Sequence, residues 1–126
     1  MSGPTTQPSE AHSGFRELMV HERRLLSALV AQRFPGSAEL ARQLEFAKAR
    51  PIVDNPSLDI LISDGPSASV DKRIPVEAEV EDFDGVTVHI LLHVVDHFMN
   101  ELEVYREDLG FLKRPIDVTR LRFIVL

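Results

Sequence analysis

The spacing of apolar residues changes at Pro51, from the period of a helix to the period of a strand. Before Pro51 the apolar residues recur every three or four positions, and after it they alternate with polar ones. Helices followed by a run of strands are typical of a sheet that helices cover on one face. The sequence therefore predicts an α+β fold, in which two N-terminal helices pack on a four- to five-stranded, mainly antiparallel sheet.

Two amphipathic helices are predicted before Pro51. The first covers residues 20–33 and is ended by the Pro35-Gly36 pair, because proline disfavours helical geometry at the residue before it. Ser37 is the expected N-cap of the second helix, since its hydroxyl can accept a hydrogen bond from a free backbone N–H. The apolar stripe of this second helix runs to Ala47, and the helix is expected to end before Pro51.

Alternation of apolar and polar residues predicts the strands. Pairs and triplets rich in Asp, Gly and Pro separate the alternating segments, as turns do. The predicted strands cover residues 58–63, 74–81, 86–95 and 98–106, and a fifth segment, 121–126, has the composition to close the sheet.

Two loops set the expected strand register. A three-residue loop at 83–85, with Gly85 in the left-handed region, places Glu79 beside His89. The same loop type at 95–97 places His89 beside Glu103, since histidine is among the residues tolerated at positive φ. Opposed side chains on neighbouring strands lie about 5 Å apart at Cβ. The sequence thus predicts a row of Glu79, His89 and Glu103 across three strands.

One face of the predicted sheet is apolar and lies under the helices, and the other is rich in glutamate. This second face could be the ordinary solvent side of an antiparallel sheet, a metal site or acid/base pair built on His89, or a surface that binds a basic partner. Besides His93, it carries the seven residues that we take as the candidate partner-binding set: Glu77, Glu79, Glu81, His89, Glu101, Glu103 and Tyr105.

The function favoured by this pattern is that of a non-enzymatic, acidic protein-interaction module of a regulatory or immunity-like kind. No catalytic residue, metal ligand or cofactor is assigned. The alternative is a small hydrolase or isomerase-like enzyme that uses His89 with Glu79 or Glu103 in a cavity between the sheet and the helices. A pocket lined by these side chains would favour the enzyme, and a flat face would favour partner binding.

Charge and composition exclude several other classes of function. The net charge is −6, which argues against a nucleic-acid-binding surface, and the absence of cysteine excludes disulfides and thiolate zinc sites. No apolar run is long enough to span a membrane and residues 1–14 do not look like a secretory signal, so we expect a cytoplasmic protein.

Residues 1–14 are predicted to be a disordered tail and residues 15–126 a single domain. The second face also carries an apolar patch, which either residues 121–126 or a second copy of the chain would cover, and of these two we favour a homodimer. The patch is formed by Pro75, Leu91, His93, Val95 and Met99.

Several short motifs lie along the chain: Phe34-Pro35-Gly36, Leu40, Gln43-Leu44, Asp82-Phe83-Asp84-Gly85, Leu92-His93-Val94-Val95-Asp96 and Glu101-Leu102-Glu103-Val104-Tyr105-Arg106. In these motifs the chain resembles an uncharacterised family of small bacterial proteins that carry a domain of unknown function. The motifs cover roughly residues 15 to 115, and the family pattern would place Gly after Asp96, where this chain has His97. The resemblance implies an α+β fold with N-terminal helices and an antiparallel meander, and it implies no activity, cofactor or catalytic residue.

Overall fold

A computed structural model describes residues 14–126, so the predicted tail lies outside the described residues except for Gly14. Within that range, no helix is long and apolar enough to cross a membrane. The elements in chain order are β1 (Arg16–Glu17), α1 (Val20–Val30), α2 (Ser37–Gln43), β2 (Ala47–Pro51), β3 (Leu58–Ile62), β4 (Val76–Glu81), β5 (Thr87–Val95), β6 (Phe98–Arg106) and β7 (Arg122–Val125), with short 3-10 turns at Leu44–Phe46 and Val118–Arg120.

The strands form one antiparallel sheet, and the predicted α+β class is confirmed. The strand order is β1-β2-β3-β6-β5-β4-β7, so the sheet has seven strands rather than four or five. The segment predicted to close the sheet does so as β7, which pairs with β4 at one edge. The two strands that the sequence analysis did not predict, β1 and β2, lie together at the other edge.

The hydrophobic core lies between one face of the sheet and the two helices. Leu102 shows how it is built, because it lies opposite Leu92 on one side and Leu58 on the other, and all three are buried. The chain after β6 also contributes, since Leu112, Ile116 and Leu121 pack against the core. The opposite face of the sheet carries the odd-numbered residues of β4 and β5, which are only partly buried along most of its length.

The second predicted helix is wrong in its extent and in its cap. It ends at Gln43, and the apolar residue Ala47 that seemed to continue its stripe is the first residue of β2. Ala47 and Ala49 are buried and alternate with exposed Lys48, which is the period of a strand paired with β3. The N-cap is Gly36 rather than Ser37, with a φ of 90° that favours glycine. The first helix likewise stops earlier than predicted, at Val30.

The first β-hairpin has the predicted register, and the second does not. Gly85 has a φ of 87° in the loop after β4, and Glu79 lies opposite His89. In the second hairpin, Asp96 and His97 form a two-residue turn with φ of 52° and 75°, and Asn100 is left without a partner as a bulge. The turn matches the positive-φ geometry of tight hairpins, and a bulge absorbs one residue of one strand. From Glu101 onward they shift the register by two residues, which changes the partners and keeps the faces, whereas Phe98 and Met99, before the bulge, exchange faces.

Candidate functional site

The acidic face, which we define as Glu77, Glu79, Glu81, His89, Glu101, Glu103 and Tyr105, lies on the side of the sheet away from the helices. Its side chains form rows across the strands. Tyr105, not Glu103, lies opposite His89, so the predicted row of Glu79, His89 and Glu103 is wrong. Glu103 lies one row further along, opposite Leu91, with Glu77 on the other side of Leu91. Glu101 lies between His93 and Asp59 in the next row.

His89 is held between an aromatic ring and two carboxylates. Its imidazole stacks on the Tyr105 ring with a centroid distance of 5.0 Å and an interplanar angle of 24°. Nε2 lies 3.1 Å from Oε1 of Glu107, and Nδ1 lies 3.6 Å from Oε2 of Glu79. The ring is thereby fixed on the sheet, with a carboxylate near each nitrogen.

His93 lies in a second cluster, which is the one with the donor types of a metal site. Ligand atoms of His93, Glu101 and Glu103 lie within 4.8 Å of one another, whereas the sequence analysis had considered His89 for this role. Nε2 donates to Glu103 over 2.8 Å, and Nδ1 accepts from Nε of Arg73 over 3.2 Å. A metal bound at Nε2 would move the proton to Nδ1, against the Arg73 N–H, whereas a metal-bound histidine usually donates from that nitrogen to an acceptor. The contacts of His93 therefore favour a hydrogen-bonded network with Arg73 and Glu103 over a metal site.

Tyr105 reports the electrostatic character of the face. Its pKa is raised above the ordinary value, first because the phenol is partly desolvated and then because of neighbouring negative charges. The carboxylates that raise it, in order of decreasing effect, are those of Glu103, Glu77, Glu107 and Glu79. The centre of the sheet face is thus a region of negative potential.

At the β7 edge of the face, an arginine neutralises one member of the set. Arg122 donates to both carboxylate oxygens of Glu81, over 2.9 Å and 2.6 Å, and lies 3.7 Å from Glu79. This hydrogen bonding lowers the pKa of Glu81. The negative charge that no arginine neutralises therefore lies on Glu77 and on the glutamates of β6.

The clefts of the described chain that open between α1 and residues 112–119 lie on the other side of the sheet. An inner cavity of about 230 Å³ is lined mainly by apolar residues such as Leu25, Val104 and Ile116. Charged groups on its walls are already engaged, as Glu22 is by Arg16 over 2.8 Å. Neither this cavity nor the wider cleft beside it is lined by His89, Glu79 or Glu103. The alternative enzyme, which places these residues in a cavity under the helices, is incompatible with this geometry.

The apolar patch expected to form a homodimer is only partly present. Met99 is 2% exposed and packs in the core, because the bulge at Asn100 turns it to the helix side. Leu91 and Val95 stay partly exposed on the acidic face. The homodimer itself stays a prediction.

A second feature, which the sequence analysis missed, is a buried arginine at the end of β6. Arg106 is 3% exposed and donates all five of its guanidinium N–H groups, over 2.7–2.9 Å, to Asp82, Asp84 and Asp108. We call these four residues the arginine clasp. It ties the loop after β4 to the chain after β6, and a backbone N–H from Lys113 also donates to Asp82.

The clasp shifts the pKa of each of its members towards the charged form. Hydrogen bonds to Asp108, Asp84 and Asp82 raise the pKa of Arg106, and the bonds from Arg106 lower those of Asp84 and Asp108. Burial alone would raise the pKa of Asp82, but hydrogen bonds from Lys113 and Arg106 lower it. The Asp82-Phe83-Asp84-Gly85 segment had been read only as a turn, and its spacing to Arg106 gave no signal of the contact.

The comparisons identify the family. The model of a domain of unknown function, DUF6984, matches residues 15–115. The chain belongs to the DUF6984 family. Neither the search of curated proteins nor the search of solved structures finds a match.

The matched part of this DUF6984 protein contains both the acidic face and the arginine clasp, while β7 lies beyond it. It also contains Gln43, a fully buried polar residue that the sequence analysis quoted without assigning it a role. Its side-chain N–H groups donate to the carbonyls of Pro66 and His97, and its oxygen accepts from the Met99 N–H. Gln43 therefore fixes the β5–β6 turn to α2, and its place among the motif residues has a structural explanation.

Proposed function

We propose that the acidic face of this DUF6984 domain binds a basic segment of another protein, and that the domain acts without catalysing a reaction. The observation that carries the proposal is the placement of Glu77, Glu79, Glu101 and Glu103 on one open face of the three neighbouring strands β4, β5 and β6. A regulatory or immunity-like protein would use such a surface to recognise its partner.

The face keeps negative charge that the rest of the described chain does not neutralise. The carboxylates of Glu77 and Glu101 take part in no hydrogen bond or ion pair with another described residue. Like charges on neighbouring strands are destabilising, so their accumulation on one face has an energetic cost. A positively charged partner would offset that cost and would also be steered to the face before contact.

The charge also selects the kind of partner. A nucleic-acid backbone or a second acidic face would be repelled by these carboxylates, whereas lysine or arginine side chains would be attracted. Tyr105 and Leu91 add partly exposed apolar surface between the carboxylates, and tyrosine is a frequent contributor to interfaces. The partner that fits is therefore a protein segment rich in arginine or lysine.

The proposal predicts localised binding of a basic peptide. In an NMR titration with nona-arginine, we expect the backbone amide shifts that change to belong to the facing residues of β4, β5 and β6. The Glu77→Lys/Glu101→Lys variant should lose this binding, because it reverses two charges whose carboxylates make no hydrogen bond or ion pair with another described residue. Its melting temperature should stay close to that of the wild type, since surface substitutions that break no hydrogen bond or ion pair usually change stability by about 0.5 kcal/mol or less.

A matched variant controls for net charge. Glu45→Lys/Asp71→Lys changes the charge of the protein by the same amount through exposed residues outside the sheet face. It should bind nona-arginine nearly as well as the wild type does. If both variants lose affinity equally, or if the shifts are scattered over the surface, binding depends on net charge alone and the acidic face is not a site.

A further inference from the structure

Three large apolar side chains stand in solvent at the end of the sheet, next to the arginine clasp. Phe83 is 74% exposed, Leu109 is 83% exposed and Phe111 is 75% exposed. We call them the apolar tip. Single exposed apolar residues are ordinary, but a group that includes two aromatic rings is typical of a protein-binding surface.

The hydrogen bonds of the clasp hold the backbone that carries the apolar tip. Phe83 lies between two of the aspartates that bind Arg106, and Leu109 and Phe111 follow the third. Leu109 has a φ of 62°, in the left-handed region that leucine rarely adopts, and its N–H donates to the Arg106 carbonyl. Backbone held in this way loses little conformational freedom when a partner binds, which favours affinity.

Charge indicates what the tip would bind. The clasp sets three carboxylates against one guanidinium, and those of Asp84 and Asp108 are 39% and 49% exposed. The backbone of Lys113, and not its ammonium, binds the clasp. Glu107 continues the negative charge to the acidic face through its contact with His89. These carboxylates disfavour an anionic membrane surface or a second copy of this acidic chain.

We infer that the partner of the acidic face is a basic segment that also carries aromatic or large aliphatic side chains, and that these side chains pack on the apolar tip. This inference rests on the proposed function, because the basic part of the segment would lie on the acidic face. The tip would contribute affinity by apolar burial, and the face would contribute charge complementarity.

Two synthetic peptides separate the two contributions. Each has 12 residues, six of them arginine, and the other six are leucine and phenylalanine in one peptide and serine in the other. We expect the wild-type protein to bind the apolar peptide at least about tenfold more tightly, which corresponds to about 1.4 kcal/mol. In the Phe83→Ser/Phe111→Ser variant this difference should disappear while the affinity for the serine peptide is unchanged. The affinities are measured by isothermal titration calorimetry.

A second variant protects the test against a folding defect. Leu109→Gly removes an exposed side chain and suits the positive φ, so it should keep the melting temperature and still reduce the difference in affinity between the two peptides.

Equal affinity of the wild type for the two peptides, or a difference in affinity that survives in both variants, would overturn the inference and leave the acidic face as a site. Loss of serine-peptide binding in Glu77→Lys/Glu101→Lys, with no loss in Glu45→Lys/Asp71→Lys, tests the proposed function separately. If sedimentation shows a dimer that the Phe83→Ser/Phe111→Ser variant does not form, the tip binds a second copy of this chain, and this result would also overturn the inference.

Discussion

At the scale of single residues, Arg106 connects more of the structure than any charged residue on the acidic face does. Its five hydrogen bonds join the loop after β4 to the chain after β6, and both loops carry side chains of the apolar tip. Removal of one partner from a buried charge network leaves the other charges without compensation, which is strongly destabilising. The clasp therefore determines both the stability and the shape of this end of the sheet.

This network predicts a characteristic response to acid. The pKa values of Asp82, Asp84 and Asp108 are lowered from 3.8 in the folded protein, so the unfolded chain binds protons more readily. The stabilisation by the clasp is therefore complete above about pH 5 and is lost as the pH falls further. In Arg106→Met the carboxylates lose the guanidinium and repel one another, so stability should fall sharply at pH 7, and the loss between pH 4 and 2 should be smaller than in the wild type.

Urea unfolding midpoints at pH 7, 4 and 2 measure this response. Arg122→Met is the matched control, because it removes an arginine whose ion pair with Glu81 is exposed and contributes little. If the urea midpoint of Arg106→Met changes with pH by the same amount as that of the wild type, the ion pairs between Arg106 and the clasp carboxylates are not the cause of the acid response.

At the scale of elements, the hairpin of β5 and β6 shows why faces could be predicted more reliably than partners. The alternation of apolar residues on β6 assigns Leu102 and Val104 to the core whatever the turn, because a shift of two residues keeps each side chain on its face. The pairing of His89 with Tyr105 depends on the turn at Asp96 and on a bulge at Asn100, and alternation contains no signal of either. The buried clasp was missed for a related reason, since its ion pairs join residues that only the register brings together.

The face assignment predicts unequal effects of two neighbouring substitutions on β6. Leu102→Ala removes a side chain that is 1% exposed and should lower the free energy of unfolding by about 2–5 kcal/mol. Glu101→Ala changes a side chain that makes no hydrogen bond with the described residues and should change it by about 0.5 kcal/mol or less. Chemical denaturation of both variants checks the difference, and similar values for the two would contradict the assignment of faces.

At the scale of the whole molecule, one face of the sheet forms the core and the other carries the proposed binding surface. One face is covered by α1, α2 and the chain after β6, and its burial provides the core. The other face and the end of the sheet carry the acidic face and the apolar tip. The period of the sequence was enough to predict this division, because burial on one face dictates alternation. The short edge strands β1 and β2 could not be predicted, since their pairing depends on the position of β3 rather than on a strong pattern of their own.

The separation of charge from apolar surface predicts how binding depends on salt. The Debye length falls from about 10 Å at 0.1 M salt to about 3 Å at 1 M, so high salt screens the acidic face and leaves apolar contacts in place. For the wild-type protein, the affinity for the arginine–serine peptide should therefore fall steeply with salt. The arginine peptide with leucine and phenylalanine should keep the part of its affinity that comes from the tip. The ratio of the affinity for this peptide to the affinity for the serine peptide should therefore stay constant or rise. Titrations at 0.05 M and 0.5 M salt measure this ratio, with Phe83→Ser/Phe111→Ser as the control in which both peptides should lose affinity together. A ratio that falls with salt in the wild type would mean that the apolar side chains act only by strengthening contacts with the acidic face.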